Sequence, residues 1–120
     1  MHEIAIANSI LESVRAEMKR HPKSVARKIT VRVGRLAAVD PDALRFSFEV
    51  LAQETELESL ELEIEVCLPR CRCPDCNFEF DVIEFDSRCP QCGGEKTRYV
   101  SGDQLELSSL ELEDYEPSTA

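Results

Sequence analysis

Five stretches of the chain alternate apolar and polar residues clearly enough to predict an element each. From Ile4, the apolar residues Ile4, Ala7, Leu11, Val14 and Met18 recur at steps of three and four, the period of one helix face. Pro22 stops this helix after His21, and Lys19, Arg20 and His21 set positive charge beside the negative end of its dipole. Next, Ile29, Val31 and Val33 alternate with Lys28, Thr30 and Arg32, a strand with one buried face that Gly34 ends. Asp40-Pro41 starts a second helix, because Asp caps open amides and Pro suits the first helical position. Its inner face is Leu44, Phe48 and Leu51, with Phe46 and Val50 widening the stripe. A second strand alternates Leu60, Leu62, Ile64 and Val66 with Glu61, Glu63 and Glu65. Its polar face is acidic and that of the first strand is basic, so the two are expected to pair. In the last strand Leu105 and Leu107 give way to Leu110 and Leu112, and the change from odd to even positions predicts a bulge or break near Ser108 and Ser109. The acidic, unpatterned residues beyond Leu112 are expected to be mobile.

Between the second and last strands the pattern fails. The stretch from Pro69 to Gly102 holds five of the six cysteines and few aliphatic residues, and cannot build a core unaided. The expected fold is therefore α+β: two helices packed on a small three-stranded sheet, with an inserted zinc-ribbon-like subdomain. An α/β body comprises residues 1–68 plus 103–120, and the metal-binding domain comprises residues 69–102.

A length of 120 residues suits one compact body with a satellite, and 42% hydrophobic with 32% charged residues argues against wholesale disorder. No apolar run approaches the roughly 20 residues that span a bilayer, and no basic segment precedes a signal-like core, so a soluble cytoplasmic protein is expected. Fourteen basic and 24 acidic residues give a net charge of -10, which opposes a nucleic-acid partner. No Ser/His/Asp or Cys/His set is visible and only two His are present, so no catalytic residues and no enzyme are expected.

Cys73-Pro74-Asp75-Cys76 and Cys89-Pro90-Gln91-Cys92 are two C-P-x-C turns separated by 12 residues. Each turn aims two thiolates at one point, and two facing turns close a tetrahedral S4 site with no position left open for water or substrate. The chemistry is that of structural zinc. Iron suits the same ligands, as in rubredoxin-like electron carriers, and spacing leaves that alternative open. Phe78, Phe80, Val82, Ile83 and Phe85, between the turns, can form a small hairpin that covers the metal. Cys71 lacks the turn geometry and is expected to stay out of the site, and Cys67 reads as a small buried or edge thiol.

The chain opens Met1-His2-Glu3. An α-amine, the following amide nitrogens and an imidazole at the second position can close fused chelate rings around one metal, and planar nitrogen ligands favour Ni(II) or Cu(II). Glu3 also suits the positive end of the first helix dipole.

Together these features resemble the HypA-type nickel-insertion proteins, which help mature [NiFe]-hydrogenase and, in some bacteria, urease. The resemblance rests on Met1-His2-Glu3, on Val33-Gly34-Arg35-Leu36 leading to Val39-Asp40-Pro41-Asp42-Ala43-Leu44-Arg45-Phe46, on the two cysteine turns with Cys71 two before the first, and on Gly102-Asp103-Gln104-Leu105. It implies a metallochaperone that holds Ni(II) transiently at Met1 and His2 with the Glu3 amide contributing, and Zn(II) at Cys73, Cys76, Cys89 and Cys92. It further implies two partners, the nickel-handling GTPase of the hydrogenase maturation pathway and the hydrogenase large-subunit precursor. The alternatives are a rubredoxin-like electron-transfer protein, whose iron would colour it red, and a zinc-ribbon interaction module, which would need no nickel.

Overall fold

The computed structural model describes residues 2–84 and 86–114. Helix α1 (His2–Arg20) buries Ala7, Ile10, Leu11 and Val14, while Ile4 near its start is exposed and Met18 near its end is half-buried. The helix closes through a bond from the His21 amide to the Met18 carbonyl at 3.1 Å. The Ser24 amide then bonds the His21 carbonyl at 2.9 Å, turning the chain into β1 (Ser24–Gly34). The His21 imidazole lies 3.8 Å from the Glu17 carboxylate, one turn back.

Helix α2 (Pro41–Ala52) begins as its sequence predicts, with the Asp40 carboxylate accepting from the amides of Asp42 at 2.9 Å and Ala43 at 3.4 Å. It packs against α1 and buries Leu44, Ser47, Phe48 and Ala52, with Leu51 half-buried. The buried stripe is narrower than the apolar pattern. Phe46 and Val50 stand two residues from Phe48, about 200° around the helix, and are 69% and 50% exposed.

The first sheet runs in the order β2-β1-β6, where β2 is Glu61–Cys67 and β6 is Leu105–Asp114. The basic strand thus adjoins the acidic one, and Lys28 lies 2.6 Å from Glu63 and 3.9 Å from Glu61. Arg27 pairs with Glu113 of β6 on the other side. Ile29 and Val31 of β1 are buried, as is Leu62 of β2, whose carbonyl accepts from Arg45 of α2 at 2.6 Å. Strand β6 is unbroken across Ser108 and Ser109. Burial in β1 changes phase in a comparable way, from Ala26 to Ile29, so a shift of apolar face does not require a strand to stop.

The second sheet, ordered β4-β3-β5, is antiparallel and consists of β3 (Arg70–Arg72), β4 (Glu79–Asp81) and β5 (Arg98–Ser101). Cys71 sits opposite Phe80 on one side and Tyr99 on the other. Arg70 and Arg72 clasp Glu79 and Asp81 across the β3–β4 pair. Of the hairpin expected between the cysteine turns, the structure shows one antiparallel bridge, Ile83 to Asp86, while β4 pairs back onto β3, so the first cysteine turn connects a second hairpin. Phe80 and Val82 are buried beside the cysteines, Phe78 stacks on Phe80 with ring centroids 6.2 Å apart, and Ile83 is exposed. Phe85 lies outside the described residues, as do residues 115–120 of the acidic tail.

The chain divides into two compact units, one comprising Met1–Val31, Val39–Glu65 and Leu107–Ala120, the other Arg32–Ala38 and Val66–Glu106. In the second unit two of the sequence segments singled out above meet through their backbones. The Gly34 amide bonds the Gln104 carbonyl and the Leu36 amide bonds the Gly102 carbonyl, both at 2.7 Å. A Cβ on Gly34 would stand 2.0 Å from the Gly102 oxygen, so only glycine permits this approach. Among the described residues, no helix is long and apolar enough to cross a membrane.

Candidate metal centre

The two C-P-x-C segments fold into near-identical knuckles. In the first, the Asn77 amide bonds the Cys73 carbonyl at 2.7 Å and the Cys73 amide bonds the Phe78 carbonyl at 2.9 Å. In the second, the Gly93 amide bonds the Cys89 carbonyl at 2.8 Å and the Cys89 amide bonds the Gly94 carbonyl at 2.9 Å. Both turns need a left-handed residue directly after the second cysteine, and Asn77 (φ 61°) and Gly93 (φ 75°) supply it. That pairing was open to view in the sequence, since Asn and Gly are the residues that most readily adopt this conformation, but the cysteine spacing alone did not draw attention to it.

The knuckles bring four sulfurs together. Those of Cys73, Cys76, Cys89 and Cys92 lie within 4.8 Å of one another, with Cys73 to Cys92 at 3.5 Å and Cys76 to Cys89 at 3.6 Å. A tetrahedral site with metal–sulfur bonds of about 2.3 Å has sulfur–sulfur edges of about 3.8 Å, so the set fits a single zinc-sized ion. None of the six cysteines is in a disulfide. Cys73 and Cys89 are buried, Cys76 is half-buried and Cys92 exposed, which leaves the site closed on one side by Phe80 and Val82. Gly94 is packed close: a Cβ there would meet the sulfurs of Cys73 and Cys92 at 3.3 and 3.4 Å.

Backbone amides point at the sulfurs as well. The second cysteine of each knuckle accepts from the amide two residues on, Cys76 from Phe78 and Cys92 from Gly94. At Cys89 burial disfavours the thiolate, yet the amides of Cys92 and Gln91, with the Cys76 and Cys92 thiols, outweigh it and lower the thiol to about 7. At Cys92 the Gly94 amide favours the thiolate, but hydrogen bonding to Cys73 and Cys89 overrides it and raises the group to about 12. Four thiols sharing one small volume cannot all ionise unaided; a divalent cation is what allows it.

Cys71 is buried in β3 within the same apolar cluster but is not among the four converging thiols, and Cys67 ends β2 half-buried. At the other end of the chain, His2 is the exposed first residue of α1, and Met1 lies outside the described residues. Glu3 is half-buried, and its carboxylate accepts from the Asp40 amide at 3.1 Å. That amide, with Glu3's own backbone, holds the carboxyl below its ordinary range. The contact joins the first turn of α1 to the cap of α2 across 37 positions, and no local sequence signal announces it.

The family model for hydrogenase/urease nickel incorporation, metallochaperone, HypA, matches residues 1–112. The chain belongs to this family. It is 37% identical over 117 residues to the hydrogenase maturation factor HypA of Desulfatibacillum aliphaticivorans, covering 97% of this chain and 90% of that protein. It is 30% identical over 113 residues to the hydrogenase maturation factor HybF of Salmonella typhimurium, covering 94% of this chain and all of that protein. Two solution structures share the fold. One, of a HypA protein, aligns with a TM-score of 0.69 at 23% identity over 93% of this chain and 96% of that chain. The other, the Ni metallochaperone HypA from Helicobacter pylori, aligns with a TM-score of 0.63 at 21% identity over 92% and 96%.

Proposed function

We propose that this chain is a nickel metallochaperone that binds Ni(II) at its N-terminus, delivers it for maturation of [NiFe]-hydrogenase or urease, and keeps a structural zinc at Cys73, Cys76, Cys89 and Cys92. The observation that carries this reading is the family match from residue 1 through residue 112, which takes in both the opening Met-His-Glu and the four cysteines. Zinc suits the closed thiol set, and its role there is to hold the two knuckles together. Nickel is cargo, and the proposed donors are the Met1 amine, the His2 amide and imidazole, and the Glu3 amide. The first four amides of a helix have no carbonyl partner within it, so the amides of His2 and Glu3 can serve a metal without breaking a helical bond. An exposed chain end also lets a recipient offer its own ligands and take the metal. The proposed setting is the cytoplasm, with the maturation GTPase and the hydrogenase precursor as recipients, and with no catalytic step performed by this chain.

Isothermal titration tests the reading with three proteins: the untagged chain, the chain with an uncleaved N-terminal extension, and His2→Ala. The untagged chain should bind about one nickel, and the other two should lose it while retaining zinc. Equal nickel affinity in all three would move the site to His21 or to Cys67 and Cys71. Isolated protein that is red and contains iron would replace the reading with electron transfer.

A further inference from the structure

Helix α2 carries more apolar surface than its own fold uses. Phe46 and Val50, four residues apart on one face, are 69% and 50% exposed, and Ile4 of α1 is 43% exposed. A surface helix that served only its own core would carry polar residues there. With Ala43, Ser47 and Glu3, these three side chains line a groove of about 200 Å³. Phe46 and Val50 also line a second hollow together with Glu49, Glu58 and Leu60. The residues that edge the hollows carry acidic charge only, Glu3, Glu49 and Glu58, and Asp42 lies one turn before Phe46. Arg45, the basic residue of α2, is drawn to the Leu62 carbonyl at 2.6 Å.

We propose that this acid-rimmed ridge docks an amphipathic helix of a partner protein, one whose apolar stripe is flanked by lysine or arginine. The ridge presents two anchors at helical spacing beside a groove, the arrangement that accepts a helix's apolar face. The charge selects the occupant. A second copy docking ridge to ridge would bring the rims of Glu3, Glu49 and Glu58 together, and an acidic segment would meet the same repulsion. A basic flank is attracted instead, on a chain of net charge -10. Because Glu3 forms one wall, a docked helix would lie beside the proposed nickel donors; that placement rests on the nickel reading, whereas docking does not and is measured without nickel.

The test titrates the full, zinc-loaded, nitrogen-15-labelled chain with three synthetic peptides of about five helical turns. One is a leucine/lysine amphipathic helix, the second replaces its leucines by serine at the same charge, and the third replaces its lysines by glutamate. Only the first should bind, shifting the amides of Ile4 and residues 43–50, and Phe46→Ser should weaken it by about tenfold or more. Phe46 is exposed, so this variant is expected to keep the parent spectrum; Val50→Lys is a second variant that should also block binding. Binding by the serine peptide, shifts centred on β2 or β6, or unchanged affinity in both variants would reduce the effect to general attraction by an acidic protein and overturn the proposal. Self-association of the chain that Phe46→Ser abolishes would give the ridge to a second copy and overturn it equally.

Discussion

At the knuckles, each converging sulfur is aimed by a six-residue turn that closes on itself through two backbone hydrogen bonds, and amides close by point at the same sulfurs. At the start of α1, His2 is exposed, and the next residue is tied by its carboxylate to the Asp40 amide. An ion held by the first arrangement would be kept by four preset turn sulfurs, while the proposed nickel donors at the second could exchange one at a time. A resident metal and a travelling one call for these different surroundings, and the comparison can be broken at either end.

The largest effect is expected at the knuckles. Cys73→Ala or Cys92→Ala should lose the zinc and with it much of the order of residues 69–102, since structural zinc contributes on the order of 10 kcal/mol to folding. Amide exchange should show those residues unprotected while α1, α2 and the first sheet keep their protection. Protection of 69–102 without metal would mean that the segment folds on its own and that the four thiols are not its staple. Cys71→Ser is the internal control, expected to retain zinc because Cys71 packs among apolar side chains outside the converging set.

At the N-terminus, His2→Ala should weaken nickel by more than the roughly 10–100-fold that an indirect neighbour of a metal is worth. Glu3→Ala should stay within about tenfold, because the proposed donor is the amide rather than the carboxylate. Its signature lies in stability. The Glu3 carboxyl is held below its ordinary value of 4.5 by the Asp40 amide. The contact is therefore fully present above that value and is lost as pH falls through the lower folded value. The melting temperature of the parent should exceed that of Glu3→Ala at neutral pH, and the gap should shrink as the pH falls below 4.5. A gap that widens in acid would assign the effect to something other than the charged carboxylate.

The same contrast explains what could be read from the sequence. Local chemistry was legible: Asp40-Pro41 caps α2, Gly34 ends β1, and the paired C-P-x-C turns announce the thiol cluster. Periodicity located the apolar residues of α2 but not their cover, because a hydrophobic stripe does not say which of its edges is buried; Phe46 and Val50 stay largely exposed. Strands of three or four residues, such as β3, β4 and β5, are too short to show a period, so the sequence does not announce that β4 pairs with β3. The contact between Glu3 and Asp40 joins residues far apart in the chain, and neither neighbourhood hints at the other.

A weaker effect is expected where the basic and acidic strands meet. Lys28 lies between Glu61 and Glu63, all three at least partly exposed, so Glu63→Lys should lower the melting temperature by only about 2 °C at low ionic strength, and by less in high salt. Thermal scans at two salt concentrations check this, and a salt-independent loss would point to packing in place of charge.

The smallest change tests whether the two knuckles are alike in detail. The residue after the second cysteine must adopt a positive φ in both, and one knuckle uses Asn77 where the other uses Gly93. A Cβ at Gly93 meets no atom within 4 Å, so substitution there costs only what the backbone conformation demands. Gly93→Val should then destabilise the second unit by about 1–2 kcal/mol, the penalty for an ordinary side chain in the left-handed region. Gly93→Asn should cost less than half of that, because the first knuckle already tolerates the same residue at the same φ. Zinc retention during titration with a competing chelator ranks the three proteins, parent first, then Asn, then Val. If Asn proved as costly as Val, the matching hydrogen bonds would conceal a difference in how the two turns carry strain, and the second knuckle would be the one whose conformation the metal has to enforce.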